Sequence, residues 1–158
     1  MNAGIIGMGK YVPEKIVKNI DFEKTLDTTD EWIRSRTGIE ERHFAAEDEN
    51  TSHMAIQAAQ KAIEKDPSNA KAHFILAMNA ENNKDAVTAE KELELAVKND
   101  PNNYLYYYYL GRRQFINKKY QQARSSFTSS IKLNNQFDSS HYNLGVTCVR
   151  LNLSKEAL

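Results

Sequence analysis

Three residues near the N-terminus combine side chains that could hold a flat, phosphorylated ligand. Thr28, Trp32 and Arg36 are spaced at i, i+4 and i+8, so they share one face if the segment is helical. Such a stripe presents a hydroxyl, an indole plane and a guanidinium side by side. The simpler interpretation is a half-buried Trp32 that anchors a small local core beside an arginine. Spacing alone favours this simpler interpretation.

Other residues of types found in cofactor, metal or catalytic sites lack the neighbouring residues that such sites require. Gly7 and Gly9 begin a dinucleotide-loop pattern, but Val12 stands where the third glycine should be, and a proline follows where a helix should begin. His43 has no cysteine or second histidine nearby, so a metal site has little support. Cys148 has no glycine-rich nucleophile turn around it. We therefore predict no catalytic residue and no metal site.

Composition restricts the class of protein. Lys plus Arg and Asp plus Glu both number 21, so the formal net charge is zero, which argues against attraction of the whole protein to nucleic acid or an anionic membrane. A single cysteine excludes an internal disulfide framework and fits a reducing compartment. No run of 18 apolar residues occurs, and the N-terminus lacks the order of a signal peptide. We predict a cytoplasmic globular protein.

A short helix and two strands must position the stripe. Thr29 or Thr28 can cap the helix, because acidic residues follow in its first turn, and Gly38 can end it. The apolar, glycine-rich residues 3–12 indicate one strand, and the alternation over residues 39–45 indicates a second. We therefore predict a small α+β fragment over the first 50 residues.

A period of 34 residues organises the rest of the chain. The residues that recur at this period are Leu76-Ala77, Leu110-Gly111 and Leu144-Gly145, then Ala55, Ala89, Ala123 and Ala157, and also Pro67 and Pro101. A fixed period of this length indicates a repeat array. Small residues at the Gly and Ala positions let two helices approach closely, and large residues between them fill the gap.

This pattern resembles tetratricopeptide repeats, which are helix–turn–helix units of 34 residues. The resemblance implies a mainly α protein, with an α-α superhelix of about two and a half repeats over residues 68–158. A helix over residues 51–65, capped by Thr51 and Ser52, falls in register and forms a junction and capping helix within residues 51–67. The last repeat is expected to break off within the first turns of its second helix, which leaves its inner face open.

In tetratricopeptide repeats the first helix of each unit lines a concave groove, and the resemblance implies where a partner would bind. The groove positions carried over to this chain are Lys71, Phe74, Met78 and Glu81, then Leu105, Tyr108, Arg112, Phe115 and Ile116, and finally Ser139, Tyr142, Val146, Val149 and Arg150. Aromatic and aliphatic walls with arginine at intervals suit an extended peptide or an amphipathic helix. Phe74 and Met78 stand where a carboxylate clamp would need Lys and Asn, which disfavours that binding mode.

Two alternative interpretations of the second repeat stay open. The tyrosine-rich residues 104–109 can be core packing, with only part of the cluster facing the groove. The same aromatics beside Arg112, Arg113, Lys118 and Lys119 could suggest single-stranded nucleic acid. Arg113 is expected to point away from the groove, however, so a protein or peptide partner is preferred.

The N-terminal residues resemble a second, unrelated family. The segments GIIGMGKYVPEK, from Gly4, and DTTDEWIRSRTGIEERHFAA, from Asp27, are similar to the N-terminus of beta-ketoacyl-acyl-carrier-protein synthase III, a bacterial fatty-acid initiation enzyme of thiolase fold. The resemblance fades near Ile63. It implies that Thr28, Trp32 and Arg36 lie at a coenzyme A entrance, with the indole stacked on adenine. The family's Cys, His and Asn come from chain beyond the matched part, so its activity is not carried over.

These patterns predict a non-catalytic chain that recognises a protein segment through the repeat groove. One alternative is a remnant of a condensing enzyme that keeps part of a coenzyme A-binding surface, and another is a rearranged or artificial fusion without joint function. Residues 1–46 have lost the sheet neighbours of a thiolase fold, so they must pack on the helices, pair with another copy or be poorly ordered. Self-association is expected through these strands or through the open last repeat.

Overall fold

A computed structural model describes the backbone of residues 8–156 and the side chains of residues 8–152. Its elements, in chain order, are β1 (Lys15–Lys18), α1 (Asn19–Phe22), α2 (Asp30–Thr37), β2 (Glu41–Phe44), α3 (Thr51–Lys65), α4 (Ala70–Asn82), α5 (Ala86–Asn99), α6 (Tyr104–Ile116), α7 (Tyr120–Leu133) and α8 (Asp138–Glu156). The protein is thus mainly α, with a small N-terminal α+β fragment, as predicted. Among the described helices, none is long and apolar enough to cross a membrane.

The N-terminal fragment is built on a two-stranded antiparallel sheet. Lys15 of β1 lies opposite Phe44 of β2. The following helix α2 begins where the sequence predicts: the Thr29 hydroxyl accepts a hydrogen bond from the backbone N–H of Trp32. It ends at Gly38, whose φ of 69° lies in the left-handed region that favours glycine. The predicted cap and stop of this helix are confirmed.

A buried asparagine ties the fragment together. The Asn19 side-chain amide donates to the Asp30 carboxylate at 2.8 Å and to the Ile39 carbonyl at 2.7 Å. Its oxygen accepts from the Arg42 guanidinium at 2.8 Å. Because its donors and its acceptor all have partners, this polar side chain can be buried without a large desolvation cost. Nothing in the sequence pattern singled out Asn19 for this role.

The first strand does not form where the sequence predicts it. Residues 8–12 have no strand structure, residues 3–7 lie outside the described part, and β1 begins only after Pro13. Residues 8–13 lie along α3 instead, where a Cβ at Gly9 would collide with the backbone of Ala58 and Ala62. Without sheet neighbours on both sides, a glycine-rich segment gains more by packing closely on small helix residues than by forming an isolated edge.

Tyr11 fastens the same segment to α3. Its hydroxyl donates to the Glu49 carboxylate, and this hydrogen bond raises the pKa of the Tyr11 phenol. The ammonium group of Lys61 lies 5.3 Å from the centre of the Tyr11 ring. The N-terminal segment therefore covers one side of α3, while Ala59 and Ala62 pack on Ala72 of α4.

The cap of α3 differs from the prediction. Asn50, not Thr51 or Ser52, caps this helix, because its side-chain oxygen accepts from the backbone N–H of His53. The Ser52 hydroxyl donates to that same Asn50 oxygen at 2.5 Å and so supports the cap rather than forming it. The helix start itself lies at Thr51, as predicted.

Two helical hairpins, α4–α5 and α6–α7, form the repeat array, and α8 packs on α7. Ala77, Leu93 and Leu110 form a buried cluster where the two hairpins meet. The turns inside the hairpins are alike, because Lys84 and Lys118, 34 residues apart, have positive φ values of 59° and 60°. The repeat period read from the sequence is therefore also a period of backbone conformation.

The third repeat differs from its predecessors. α8 continues without a break to Glu156, whereas the repeat pattern placed a turn near Asn152. The turns at Lys84 and Lys118 are each followed by a packed helix of 14 residues. Within the described residues the continued helix keeps its backbone hydrogen bonds through Glu156. The prediction of a second helix in this repeat was wrong for the described residues.

Two equivalent glycines allow a matched test of repeat packing. A Cβ at Gly111 would lie 2.8 Å from Cε1 of the fully buried Phe127 ring, whereas one at Gly145 meets nothing within 4 Å. We expect Gly111→Ala to lower the free energy of unfolding by about 1–3 kcal/mol through overpacking. We expect Gly145→Ala to raise it by about 0.5–1 kcal/mol through helix propensity. Urea unfolding followed by circular dichroism measures both, and shifts of the same sign would contradict the packing argument.

Candidate functional site

The candidate site is the face that α4, α6 and α8 present as the first helices of successive repeats. Between α4 and α6 this face holds a cavity of about 260 Å³. Its lining residues are Met78, Glu81, Asn82, Tyr109, Arg112 and Ile116. Of the positions that the sequence had placed in the groove, the cavity brings together Met78, Glu81, Arg112 and Ile116. It adds Tyr109 and Asn82, which a helical wheel of each first helix could have included.

A chain of aromatic rings forms the wall beside this cavity. Phe74 of α4 contacts Tyr109 of α6 with ring centres 5.2 Å apart, and Tyr109 contacts Tyr108 at 5.3 Å. Tyr108 continues to Phe137 at 5.0 Å, and Phe137 meets Tyr104 at 5.1 Å. The rings therefore run from the first repeat to the turn before α8. Edge-on and tilted contacts of this kind fix the rings in place.

The tyrosine-rich helix is partly core, as the alternative interpretation allowed. Tyr106 is buried against Phe74, with ring centres 5.1 Å apart, and this burial raises the pKa of the Tyr106 phenol. Tyr108 is half-buried and also approaches Phe127 of the second repeat's core at 6.2 Å. Of the consecutive tyrosines, Tyr109 is the one that lines the cavity between α4 and α6.

Two neighbouring arginines have different roles. Arg113 is buried and pairs with Glu81 of α4: its Nη2 donates at 2.8 Å, while its Nε lies 2.8 Å from the other oxygen with its N–H poorly aligned. Arg112 is exposed, and its guanidinium lies 5.8 Å from the Tyr108 ring centre and 5.7 Å from that of Tyr109. Arg113 therefore neutralises Glu81, and Arg112 has no carboxylate partner among the described side chains.

The other basic residues of this region also differ in whether a carboxylate pairs with them. Lys119 pairs with the buried Glu90 of α5 at 2.8 Å, and Asn117 donates to the same carboxylate at 2.7 Å. These bonds tie the α6–α7 turn to the first repeat. Of the four cations that could have formed a nucleic-acid patch, Arg113 and Lys119 are thus held by carboxylates.

The remaining predicted groove residues divide into three groups. Phe115 turns toward α7, where its ring lies 5.4 Å from that of Tyr120, so it belongs to the α6–α7 hairpin rather than to the cavity. Leu105 and Val146 are half-buried. Lys71, Tyr142 and Val149 are exposed, with Tyr142 at 74% and Val149 at 59% of their full accessibility. Tyr142 and Val149 are therefore the large apolar side chains that α8 exposes among its described residues.

A second cavity, of about 430 Å³, lies in the N-terminal fragment. It is lined by Phe22, Leu26, Asp27, Thr28, Trp32, Ile33 and Arg42. The Thr28 hydroxyl is buried there without a hydrogen-bond partner. Trp32 is 53% exposed, and Ile33 is the buried residue of α2, so the interpretation of Trp32 as the local core anchor was wrong.

Arg36 does not line this cavity. Its guanidinium stacks on the indole of Trp32, 4.9 Å from the ring centre. Of the three predicted residues, Thr28 and Trp32 line the cavity, and the Arg36 guanidinium lies over the Trp32 ring. Within the described residues, no cluster of three or more histidine, cysteine or acidic side chains could hold a metal ion.

Comparison with known proteins separates the chain into two parts. No family model matches it. Its N-terminal part is 65% identical over 63 residues to beta-ketoacyl-acyl-carrier-protein synthase III of Bacillus pumilus and 67% identical over 63 residues to that of Listeria monocytogenes. Each match covers 40% of this chain and 20% of the relative, so the chain spans about a fifth of the length of these curated relatives.

The helical array is similar to solved tetratricopeptide structures. It matches the first such domain of human RPAP3 with a TM-score of 0.60 at 20% identity, covering 68% of this chain and 84% of that one. It matches the first tetratricopeptide domain of Spaghetti (RPAP3), bound to an HSP90 peptide, with a TM-score of 0.59 at 21% identity, covering 64% and 80%. MamA matches with a TM-score of 0.59 at 25% identity, covering 64% and 59%.

The array is a tetratricopeptide fold. The chain therefore joins a segment similar to beta-ketoacyl-acyl-carrier-protein synthase III to a tetratricopeptide solenoid, as the sequence predicted.

The contribution of the Glu81–Arg113 ion pair to the fold can be tested by measuring the free energy of unfolding. We expect Glu81→Ala to lower the free energy of unfolding by about 2 kcal/mol, because it leaves Arg113 buried without its carboxylate. The matched control is Glu94→Ala, at an exposed position of α5, for which we expect a change of about 0.5 kcal/mol or less. Urea unfolding measures both variants, and equal losses would show that Arg113 does not depend on Glu81.

Proposed function

We propose that this chain is a protein-interaction module whose groove binds an extended peptide or a helix of a partner protein. The observation that carries the proposal is the apolar surface that α6 and α8 leave in solvent. Ile116 is 56% exposed beside the cavity, and Tyr142 and Val149 of α8 are 74% and 59% exposed. Exposed apolar side chains that lie together, rimmed by polar groups, are typical of binding surfaces. The peptide-bound Spaghetti (RPAP3) domain of similar fold supports the same use.

The size of the cavity favours a side chain as its occupant. Sites for whole small-molecule ligands are usually about 300–1,000 Å³, and the cavity between α4 and α6, at about 260 Å³, lies below that range. Protein interfaces, in contrast, commonly depend on a few side chains that fill small pockets. We therefore assign no catalysis to this groove.

We further propose that the N-terminal fragment caps the array, with residues 1–50, 51–67 and 68–158 as fragment, junction helix and repeats. The contacts of Gly9 and Tyr11 with α3 support this role, because they cover the helix that precedes the first repeat. Terminal units of a solenoid need such a cover, since each unit otherwise contacts a neighbour on only one side. Self-association through β1, β2 or α8 remains part of the proposal.

Peptide selection tests the groove. We expect the immobilised full chain to retain members of a random dodecapeptide library displayed on phage. Ile116→Glu should weaken binding of the retained peptides by about tenfold or more, because it places a charge at the mouth of an apolar cavity. Fluorescence anisotropy with the synthesised peptides gives the dissociation constants.

The matched control for that experiment is Val87→Glu. Val87 is 81% exposed on α5 and lies outside the groove, so its variant should bind like the unaltered chain. Failure to retain any peptide, or equal binding by the Ile116→Glu chain, would rule out the groove as the binding site.

A second candidate function is retention of a coenzyme A-binding surface in the N-terminal fragment. The unpartnered Thr28 hydroxyl and the exposed indole of Trp32 favour it, because both face a cavity that could hold a flat ring. The similarity of this segment to the synthase supports the same ligand. The residues that would hold it are Thr28 by hydrogen bonding, Trp32 by stacking and Arg36 by charge.

Trp32 reports on this site directly, because it is the single tryptophan of the chain. Titration with coenzyme A should change its fluorescence in a saturable way. Arg36→Ala should raise the apparent dissociation constant by about tenfold, since it removes a cation from a phosphorylated ligand. Arg124→Ala, at an exposed position of α7, serves as the control for loss of positive charge. A linear or absent response in the unaltered chain would reject the site.

A further inference from the structure

We propose that the groove recognises an internal acidic segment of its partner, with one apolar side chain in the cavity between α4 and α6 and a neighbouring Asp or Glu carboxylate on Arg112. The inference rests on the proposed function and specifies the chemistry of the partner. It follows from how the charges of the groove are paired.

Among the described side chains of α4, α6 and α8, the exposed charged groups are three basic residues and one acidic residue, Asp138 at the start of α8. Lys71 on α4, Arg112 on α6 and Arg150 on α8 are exposed, one on each groove helix. Glu81 is the acidic residue among the predicted groove positions, and Arg113 neutralises it from within the fold. A chain with zero net charge therefore presents a locally positive groove, which attracts acidic segments and disfavours basic ones.

Arg112 is placed to donate hydrogen bonds to a carboxylate. Its guanidinium lies over the faces of Tyr108 and Tyr109, which restrains the side chain and leaves its N–H groups free at the rim of the cavity. A planar guanidinium can donate two parallel hydrogen bonds to one carboxylate, and a restrained one loses less freedom on binding. Two tyrosine rings thus position the cation before any partner arrives.

The apolar part of the same cavity sets where the acidic group must lie. Met78 and Ile116 line the cavity together with Arg112, and Ile116 follows Arg112 by one helical turn. A ligand whose apolar side chain fills this space therefore brings its adjacent residues to the guanidinium. The recognised feature is an aliphatic or Met side chain with an Asp or Glu beside it.

The carboxylate that fits is a side chain rather than a chain terminus. Phe74 and Met78 occupy the positions where polar donors would be needed to hold a terminal carboxylate, and both contribute to a hydrophobic cluster. Arg112 alone can satisfy a side-chain carboxylate in a bidentate manner. An acidic segment within a longer polypeptide therefore matches the groove.

The experiment uses the peptides retained by the full chain in the phage selection, synthesised with acetylated N-termini and amidated C-termini. We expect the retained sequences to be enriched in Asp and Glu next to Leu, Ile, Val or Met, and to bind with the C-terminus amidated. Arg112→Glu should weaken binding by about tenfold or more. Arg124→Glu, with the same charge change on an exposed position of α7, should leave it unchanged.

The outcomes separate this inference from the proposed function. Retained peptides that are neutral or basic, or that tolerate Arg112→Glu, overturn the acidic-segment inference and leave the groove function standing. Binding that requires a free C-terminal carboxylate overturns the internal position of the acidic group. Retention of no peptide at all overturns the groove function itself. Circular dichroism of both arginine variants shows whether a loss of binding comes from unfolding.

Discussion

The close approach of helices at small residues is the constraint on which the array depends. Ala77, Ala89 and Ala123 are completely buried, and the bare backbone of Gly111 faces the ring of Phe127. Helices that approach this closely leave space only for a few large side chains, which must interlock at native density. These contacts help to set the positions of α4, α6 and α8, together with the aromatic contacts and the Glu81–Arg113 pair between α4 and α6.

The same packing decides which charges reach solvent. Neighbouring repeats are joined by polar ties that bury acidic groups: Glu81 with Arg113, and Glu90 with Lys119 and Asn117. A buried carboxylate needs such partners. Each of these ion pairs therefore also neutralises one basic side chain. Arg112 is adjacent to Arg113 in α6, but its guanidinium lies near two tyrosine rings and has no carboxylate partner among the described side chains.

The N-terminal fragment combines a locally hydrogen-bonded unit with a segment that packs on α3. Its second half keeps a local unit, because Asn19 links α1, α2 and β2 through short hydrogen bonds. Gly9 and Tyr11, by contrast, lie against α3 rather than in a sheet, and Gly9 fits there because it has no side chain. Local hydrogen bonds therefore hold α1, α2 and β2 together, whereas the surface of α3 determines where the segment around Gly9 lies.

The sequence by itself determined the repeat period, the helix starts and stops with strong caps, and the junction of two families, because these depend on residue types at fixed spacings. It also placed Met78 and Arg112 in the groove. Only the tertiary structure decided that Phe115 turns to Tyr120, that Arg113 neutralises Glu81, and that α8 continues past Asn152. Each of these outcomes depends on which neighbour is within reach after packing, and spacing along one helix does not contain that information.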